Sequence, residues 1–364
     1  MIGHEEHNPA STTTKHCLIT GGAGQIAYAL LPHLISGRVF GPHVRLIVHL
    51  LDIPGTENAL RGVQMEIEDA ASLVVVGVVT TTDLRVAFSG VDYAILLGGF
   101  PRLPGMERKE LLAKNVEIIT THAAALDDYA SRDVKVLVVA NPANTLALVA
   151  KKRASSLPAE NFSCLTRLDH DRLRGMVAKK LTSLRTSSSS SESTAAVTAT
   201  QVRNAVIWGN HSSTQVPSAA QAQVELNGKW VSIHEVLQAK DAAWLHGELV
   251  TSVQQRGAEI LAARKLSSAL SAAQAIANHF KDWVHGTPEG EFVSMGVFVS
   301  EGNGYEIPAD IFFSFPVTCK GGKWTVAEGL SLSEETRKRL PATITELVEE
   351  RNLALSLVGG ASHL

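Results

Sequence analysis

Few cysteines and no long apolar run occur in the 364 residues of the chain, and both absences exclude whole classes of protein. The three cysteines, Cys17, Cys164 and Cys319, lie far apart and form no C-x-x-C pair, so we predict neither a disulfide framework nor a zinc ribbon, and we expect a reducing compartment. The longest apolar runs, at 73–79 and 134–140, are as long as strands, whereas a membrane span needs roughly 18 residues. The polar residues 1–16 contain no apolar segment typical of a signal peptide.

An excess of charge of one sign is also lacking. Lys and Arg together number 33, Asp and Glu number 36, and the formal net charge is −3. Nucleic acids and anionic membrane surfaces are usually bound by a basic patch, so we expect neither partner. With 45% hydrophobic and 19% charged residues the composition is typical of a globular protein, and at roughly 100–200 residues per domain the length predicts two domains.

From residue 15 onward, short apolar runs alternate with segments of helical period, a pattern typical of βαβ units around a buried parallel sheet. The sequence therefore predicts an α/β fold, with a Rossmann-like, doubly wound parallel sheet over residues 15–159. The predicted strands are residues 16–20, 45–51, 73–79, 93–97 and 134–140, and the predicted helices are residues 25–36, 58–70, 108–130 and 144–152.

Residues 160–355 are predicted to form a second, α+β domain with antiparallel strands. Its serine-rich segment, at about 183–200, is too polar to pack a core, so we expect a surface loop there. Residues 1–14 and 356–364 are predicted to be tails. The predicted strands of this domain are 162–166, 202–208, 292–299 and 311–317, with a hairpin around 226–229, and the predicted helices are 171–181, 241–255, 268–279 and 333–353.

A glycine-rich turn follows the first predicted strand and opens the first helix, as in a dinucleotide-binding G-x-G-x-x-(G/A) turn. The first N–H groups of such a helix face a bound pyrophosphate. The second strand ends at Asp52, whose carboxylate suits an adenosine ribose and repels the 2′-phosphate of NADP, so we favour NAD. The alternative is a ligand-free turn with Asp52 capping the next segment. The residues of the turn are Gly21, Gly22, Ala23, Gly24, Gln25, Ile26 and Ala27.

Two further segments carry residues suited to acid and base chemistry. Asp169 and Arg172 are three residues apart, on one face of a helix. His211 lies in a Gly/Asn/Ser-rich loop after a predicted strand, and beside Asp169 its imidazole would hold a proton more readily. The alternatives are a plain ion pair and a solvent-facing histidine.

Residues 98–109 form a Gly/Pro-rich segment with two arginines, Arg102 and Arg108. Loops of this length in compact domains are often lids. Because guanidinium groups bind carboxylates bidentately, these two arginines together with Arg172 suit a substrate with two carboxylates. A solvated basic loop is the alternative.

Several motifs together resemble the cytosolic-type malate dehydrogenases of the lactate/malate dehydrogenase family. The resemblance extends from residue 15 to about residue 351. Its motifs are TGGAGQI at 20–26, GMERK at 105–109, NPANT at 141–145, TRLDH at 166–170, WGNHSSTQ at 208–215 and VSMGV at 293–297.

The resemblance implies NAD-dependent interconversion of (S)-malate and oxaloacetate by a homodimer. It implies that His211 takes the hydroxyl proton while a hydride leaves C2 for the nicotinamide, and that Asp169 stabilises the imidazolium. Arg172 would hold the C1 carboxylate, Arg108 would polarise the C2 oxygen, and Arg102 on the lid would hold the distal carboxylate.

The resemblance also implies that Asn141 contacts both substrate and cofactor, and it adds Gly98, Asn115, His122 and Val139 to the cofactor-binding residues. The chain departs from the family pattern at several positions, among them Ala140 for a usual Gly, Leu146 for a common Asn and His122 for a Gln. These departures leave the acid/base pair and the arginines intact, so they bear on cofactor affinity and rate more than on reaction class.

Two other functions remain open: the same scaffold acting on an aromatic or monocarboxylate 2-hydroxy acid, and a catalytically silent NAD-binding protein. We expect no metal site, since the polar segment at 4–7 lacks the H-E-x-x-H spacing. A cytoplasmic location is expected. The alternative is a peroxisome or glycosome, because Ser362, His363 and Leu364 at the end of the sequence differ from the S-K-L address by one conservative step.

Overall fold

A parallel sheet flanked by helices forms the first half of the chain. The computed structural model describes residues 13–100, 106–188, 195–237 and 239–360. The strands of this half are β1 (Thr14–Thr20), β2 (Arg45–Leu51), β3 (Val75–Thr81), β4 (Tyr93–Leu96), β5 (Lys135–Val138) and β6 (Phe162–Cys164). The helices are α1 (Gln25–Ile35), α2 (Glu57–Asp69), α3 (Leu84–Phe88), α4 (Arg108–Tyr129) and α5 (Ala143–Arg153).

The order of the six parallel strands across the sheet is β3-β2-β1-β4-β5-β6, so the predicted doubly wound topology is confirmed. The strand order reverses between β1 and β4, whose carboxyl ends, Thr20 and Leu96, are register partners. In open α/β sheets, ligands bind in the crevice outside this reversal. The glycine-rich turn and Gly98 both lie there.

The second half combines helices with three sets of antiparallel strands. The strands are β7 (Val202–Arg203), β8 (Val206–Trp208), β9 (Val216–Ser218), β10 (Gln223–Leu226), β11 (Lys229–Ser232), β12 (Val293–Phe298), β13 (Phe312–Lys320) and β14 (Lys323–Val326). The helices are α6 (Arg167–Ser188), α7 (Ile233–Val236), α8 (Ala239–His246), α9 (Glu248–Arg264), α10 (Leu270–His285) and α11 (Glu334–Gly360).

Strands β12, β13 and β14 extend the parallel sheet rather than forming a sheet of their own, because β12 pairs with β6. The central strands of the resulting nine-stranded sheet are buried, and helices pack on both faces. One face packs against α1 and α10 through residues such as Leu30 and Phe280, and the other against α4 and α5 through residues such as Ile119 and Leu146. The two halves therefore share one continuous sheet.

Two boundary predictions are wrong. The strand predicted at 73–79 begins at Val75, because the Ser72 hydroxyl accepts the N–H groups of Val74 and Val75 and leaves Leu73 exposed. The helix predicted at 171–181 is α6, which runs from Arg167 to Ser188 and so includes the start of the serine-rich segment. Residues 189–194 of that segment lie outside the described residues.

The strand predicted at 202–208 is broken at Asn204, which adopts a left-handed φ of 59° and binds the backbone at Gly290 and Phe292 through its amide. The helix predicted at 241–255 is two helices, α8 and α9, separated at Gly247. The predicted hairpin is confirmed, with Leu226 opposite Lys229 in β10 and β11.

The tail predicted at 356–364 is wrong up to residue 360, because α11 continues to Gly360 and Leu357 packs on the core. Strand β14, which follows β13 through the two left-handed glycines Gly321 and Gly322, was not predicted. No described helix is long and apolar enough to cross a membrane.

His279 is buried in the core without a hydrogen-bond partner among the described residues. It is 1% exposed, and its ring contacts Phe280 and Trp283. Burial, together with the charge of Arg167, lowers the pKa of His279 from 6.5 to about 3. The folded protein therefore keeps this ring neutral where the unfolded chain binds a proton.

We predict that His279→Phe makes stability less sensitive to acid. Below the unfolded pKa of 6.5, the unfolded chain binds one more proton at His279 than the folded protein, so stability falls as the pH drops from 6.5 toward 3. At one pH unit below 6.5 this loss is about 1.4 kcal/mol, and the variant lacks it. Urea unfolding at pH 7.5 and 5.5 measures the difference, with the exposed His234→Gln as the control. Equal acid sensitivity in wild type and His279→Phe would contradict the prediction.

Candidate active site

The glycine-rich turn packs tightly against strand β2. The N–H of Gly22 donates to the carbonyl of Leu51 at 2.9 Å, and a Cβ at Gly22 would lie 2.8 Å from the Cβ of Leu50. Gly24 is exposed and precedes the first residue of α1, so the unpaired N–H groups of the first helical turn are accessible beside it. Ala27 differs from the other residues of the turn, because it is fully buried in the core.

Asp52 joins the end of β2 to this turn. One carboxylate oxygen accepts the N–H of Ala23 at 2.9 Å, and the other accepts the N–H of Ile53 at 2.8 Å. The carboxylate thus caps the following segment, as in one interpretation of the sequence. It also lies at the glycine-rich turn, as the ribose-binding interpretation requires. An exposed helix N-terminus beside this carboxylate fits the pyrophosphate and ribose of NAD.

A cavity of about 280 Å³ connects the start of α1 with the second half of the chain. Ile26 lies at one end, and Val139 and Asn141, at the carboxyl end of β5, form another part of the wall. The cavity therefore brings together several predicted cofactor residues and the predicted acid/base pair. Its lining includes Ile26, Val139, Asn141, Asp169, Arg172 and His211.

His211 and Asp169 form a close pair in this cavity. The Nδ1 atom of His211 lies 2.5 Å from a carboxylate oxygen of Asp169, which is fully buried in the first turn of α6. Burial acts against the charge on both groups. The attraction between the two groups outweighs this effect of burial, so the pKa of Asp169 is lowered and the pKa of His211 is raised. Arg172 also contributes to lowering the pKa of Asp169. The pair is therefore built to carry an imidazolium.

Arg172 is held on the other side of Asp169. Its guanidinium donates to Asp169 at 3.0 Å and to the hydroxyl of Ser268 at 3.1 Å, and its buried Nε has no partner among the described residues. Its positive charge opposes the rise in the pKa of His211. Arg172 faces the cavity, as a carboxylate-binding residue must.

The side chain of Asn115 is hydrogen-bonded near the start of the segment at 98–109, which is called the arginine-bearing loop below, and its start at 98–100 is called the root. Its amide oxygen accepts the N–H of Phe100 at 2.6 Å, and its amide nitrogen donates to the carbonyl of Asn141 at 2.8 Å. On the other side of the root, the N–H of Gly98 donates to the hydroxyl of Thr20 at 2.9 Å. These bonds attach the loop to β1 and to the Asn141 segment.

Arg102, Arg108 and His122 were also predicted to belong to the site. Arg102 lies outside the described residues, and only the backbone of Arg108, the first residue of α4, is described. His122 is absent from the cavity wall and contacts the ring of Phe88; burial lowers its pKa to about 4. The binding roles of all three stay predictions.

Comparisons with known proteins match both halves of the chain. The sequence model of the NAD binding domain of lactate/malate dehydrogenase matches residues 15–163, and that of the alpha/beta C-terminal domain of lactate/malate dehydrogenase matches residues 166–358. The chain belongs to the lactate/malate dehydrogenase family. It is therefore an NAD-dependent oxidoreductase, and its cofactor is NAD.

Relatives of the chain include the cytoplasmic malate dehydrogenase 1 of Arabidopsis thaliana, which is 49% identical over 93% of the chain and 97% of its own length. The cytoplasmic malate dehydrogenase of Homo sapiens is 50% identical over 94% of the chain and 98% of its own length.

Among solved structures, malate dehydrogenase from Naegleria fowleri has a TM-score of 0.84 at 39% identity and covers 94% of this chain and 98% of its own. A lactate dehydrogenase from Trichomonas vaginalis, in complex with NADH and oxamate, has a TM-score of 0.85 at 36% identity and covers 95% of this chain and 99% of its own. Enzymes named for different substrates thus share the fold of this family member.

One residue of the family motif NPANT was missed as a site residue. The side chain of Asn144 accepts the N–H of His211 at 2.9 Å and donates to the carbonyl of Phe312 at 3.0 Å. It therefore fixes the backbone of His211 against the start of α5. The motif was visible in the sequence, but the partner is 67 residues away and only the fold brings it close.

We predict that two substitutions move the pKa of His211 in opposite directions. Asp169→Asn removes the carboxylate that raises it, so the pKa falls, whereas Arg172→Gln removes a nearby positive charge, so the pKa rises. The measurement is a pH titration of the ¹³Cε1 resonance of His211 by NMR. A shift in the same direction in both variants, or no shift, would disprove this account of the pair.

Proposed function

We propose that the chain interconverts (S)-malate and oxaloacetate with NAD. The observation that carries the proposal is the His211–Asp169 pair at 2.5 Å, with Arg172 on the same carboxylate, in a cavity that reaches the NAD-binding turn. The identity of 49–50% to enzymes named malate dehydrogenase supports the choice of substrate.

The geometry of the pair identifies the atom that accepts the substrate proton. Because Nδ1 of His211 is bonded to Asp169, Nε2 is the nitrogen that takes the proton of the substrate hydroxyl. The imidazolium that forms is stabilised by the Asp169 carboxylate, which stays ionised because its pKa is lowered. When bound, NAD supplies the acceptor for the hydride of C2. Arg172 binds the carboxylate next to that carbon and so orients the hydroxyl toward His211.

We assign the selection of a dicarboxylate to Arg102. This residue belongs to the arginine-bearing loop, whose start is hydrogen-bonded to Asn115. By the family resemblance, Arg102 binds the distal carboxylate and Arg108 polarises the C2 oxygen. A monocarboxylate would leave the charge of Arg102 unpaired in a closed site, which is unfavourable. The likeness to a lactate dehydrogenase keeps another 2-hydroxy acid as the second candidate.

We predict fast NADH oxidation with oxaloacetate and little with pyruvate or phenylpyruvate, followed by NADH absorbance, with NADPH as the weaker cofactor. His211→Asn removes the acid/base group and is expected to lower turnover by roughly a hundredfold to ten-thousandfold. NADH binding, measured by fluorescence, should persist in this variant. Unchanged turnover in His211→Asn would refute the mechanism, and no turnover on any of the three acids would favour the silent NAD-binding protein.

In the same assay, Arg102→Gln separates the two substrate hypotheses. Losing one partner of a buried charge pair costs about 2–5 kcal/mol, so oxaloacetate turnover should fall roughly thirtyfold or more while pyruvate turnover changes little. Arg153→Gln, at the exposed end of α5, removes the same charge away from the cavity and is the control. Equal losses on both acids would rule out Arg102 as the selector.

We further propose a homodimer. Helix α1 packs beside α2 and α10, and these three helices expose large apolar side chains: Tyr28 is 50%, Met65 49% and Leu270 75% exposed. A second copy would bury them. Sedimentation velocity is expected to give twice the mass of one chain, and a monomer at micromolar concentration would contradict the dimer.

For location we propose the cytoplasm, as in the names of the Arabidopsis and human relatives. The alternative address, Ser362 to Leu364, lies outside the described residues. Fluorescence of the chain tagged at its N-terminus, with and without the last three residues, decides between them.

A further inference from the structure

Helix α11 passes unusually close to the loop that carries His211. A Cβ at Gly209 would lie 2.4 Å from the hydroxyl oxygen of Thr343, so only glycine fits there, and its φ is +93°. The next residue, Asn210, donates its N–H to that same hydroxyl at 2.8 Å. The helix therefore contacts the loop backbone directly before His211.

One carboxylate oxygen of Glu346, one turn further along α11, accepts hydrogen bonds from both sides of His211. The donors are the side-chain amide of Asn210 at 2.8 Å, the hydroxyl of Ser212 at 2.5 Å and the hydroxyl of Thr214 at 2.6 Å. Hydrogen bonds to an ionised acceptor are shorter and stronger than neutral ones. Glu346 thus holds the residues immediately before and after His211.

A second carboxylate of the same helix holds the segment that faces this loop. Glu350 is buried, and its carboxylate accepts a hydrogen bond from the hydroxyl of Thr145, with 2.7 Å between the two oxygens. Thr145 follows Asn144, whose side chain binds the N–H of His211. Helix α11 therefore joins the segment at 141–145 to the loop at 209–215.

We propose that Glu346 is a positioning residue for the reaction at His211. Glu346 is not among the residues that line the cavity, and it acts through Asn210 and Ser212, which fix the backbone from which the imidazole reaches Asp169. Small displacements of a reacting group cost large factors in rate, so a loop released from Glu346 lowers turnover without weakening NADH binding. The activity readout rests on the proposed function.

The test compares Glu346→Ala and Glu346→Gln with Glu349→Gln, which removes a neighbouring exposed carboxylate of the same helix. Turnover is expressed per NADH-binding site, counted by fluorescence titration. We expect kcat to fall roughly tenfold to a hundredfold in Glu346→Ala, less in Glu346→Gln, which keeps one acceptor oxygen, and not at all in Glu349→Gln. The dissociation constant of NADH should stay unchanged in all three.

Two results overturn the proposal: an unchanged kcat per site in both Glu346 variants, or a parallel loss of kcat, NADH affinity and thermal stability, which indicates a merely structural role. If Glu346→Ala does not fold, Glu346→Gln carries the test. The ¹³Cε1 resonance of His211 provides a readout that is independent of substrate. It should shift in the Glu346 variants and not in Glu349→Gln, so the positioning role can be judged even if oxaloacetate is not turned over.

Discussion

The buried carboxylate of Asp169 is the constraint on which the site depends. A fully buried charge is strongly unfavourable unless it is paired and hydrogen-bonded, and Asp169 is 0% exposed. Its two oxygens are satisfied by Arg172, three residues along α6, and by His211, which is 42 residues away. Arg172 is brought to Asp169 by the helix itself, because residues three apart lie on the same face. The distant partner requires that the loop after β8 lie against the first turn of α6, so the demand for a second partner fixes the tertiary structure around the site.

The sheet provides the frame in which this pairing occurs. The carboxyl ends of β1, β4 and β5 deliver the glycine-rich turn, the root of the arginine-bearing loop and Asn141 to one edge, and β6 leads directly into α6. Because β12 pairs with β6, backbone hydrogen bonds as well as side chains fix the position of the second half of the chain relative to the first. A cavity between the halves can then keep a fixed geometry.

Features set by local chemistry were predictable from the sequence. The glycine-rich turn, Asp52 after a strand, the i, i+3 spacing of Asp169 and Arg172, and the Asn227-Gly228 hairpin are all short-range patterns. Several of the errors arise from long-range contacts. Asn204 breaks a strand through bonds to Gly290 and Phe292, and Glu346 meets Asn210 across 136 residues. The tail at 356–360 is helical because Leu357 packs on a core most of whose members lie far away in the chain. No local period contains such information.

The proposed function assigns the proton transfer and the choice of substrate to different parts of the fold. Asp169 lies on the buried first turn of α6 and His211 on a loop held by Asn144 and Glu346, whereas Gly98 and Phe100, at the described start of the arginine-bearing loop, are hydrogen-bonded to Thr20 and Asn115. Malate and lactate dehydrogenases with TM-scores of 0.84 and 0.85 to the same fold are consistent with this arrangement. Under the proposed function, substrate preference is therefore tested at Arg102, and the proton transfer at His211 and Asp169.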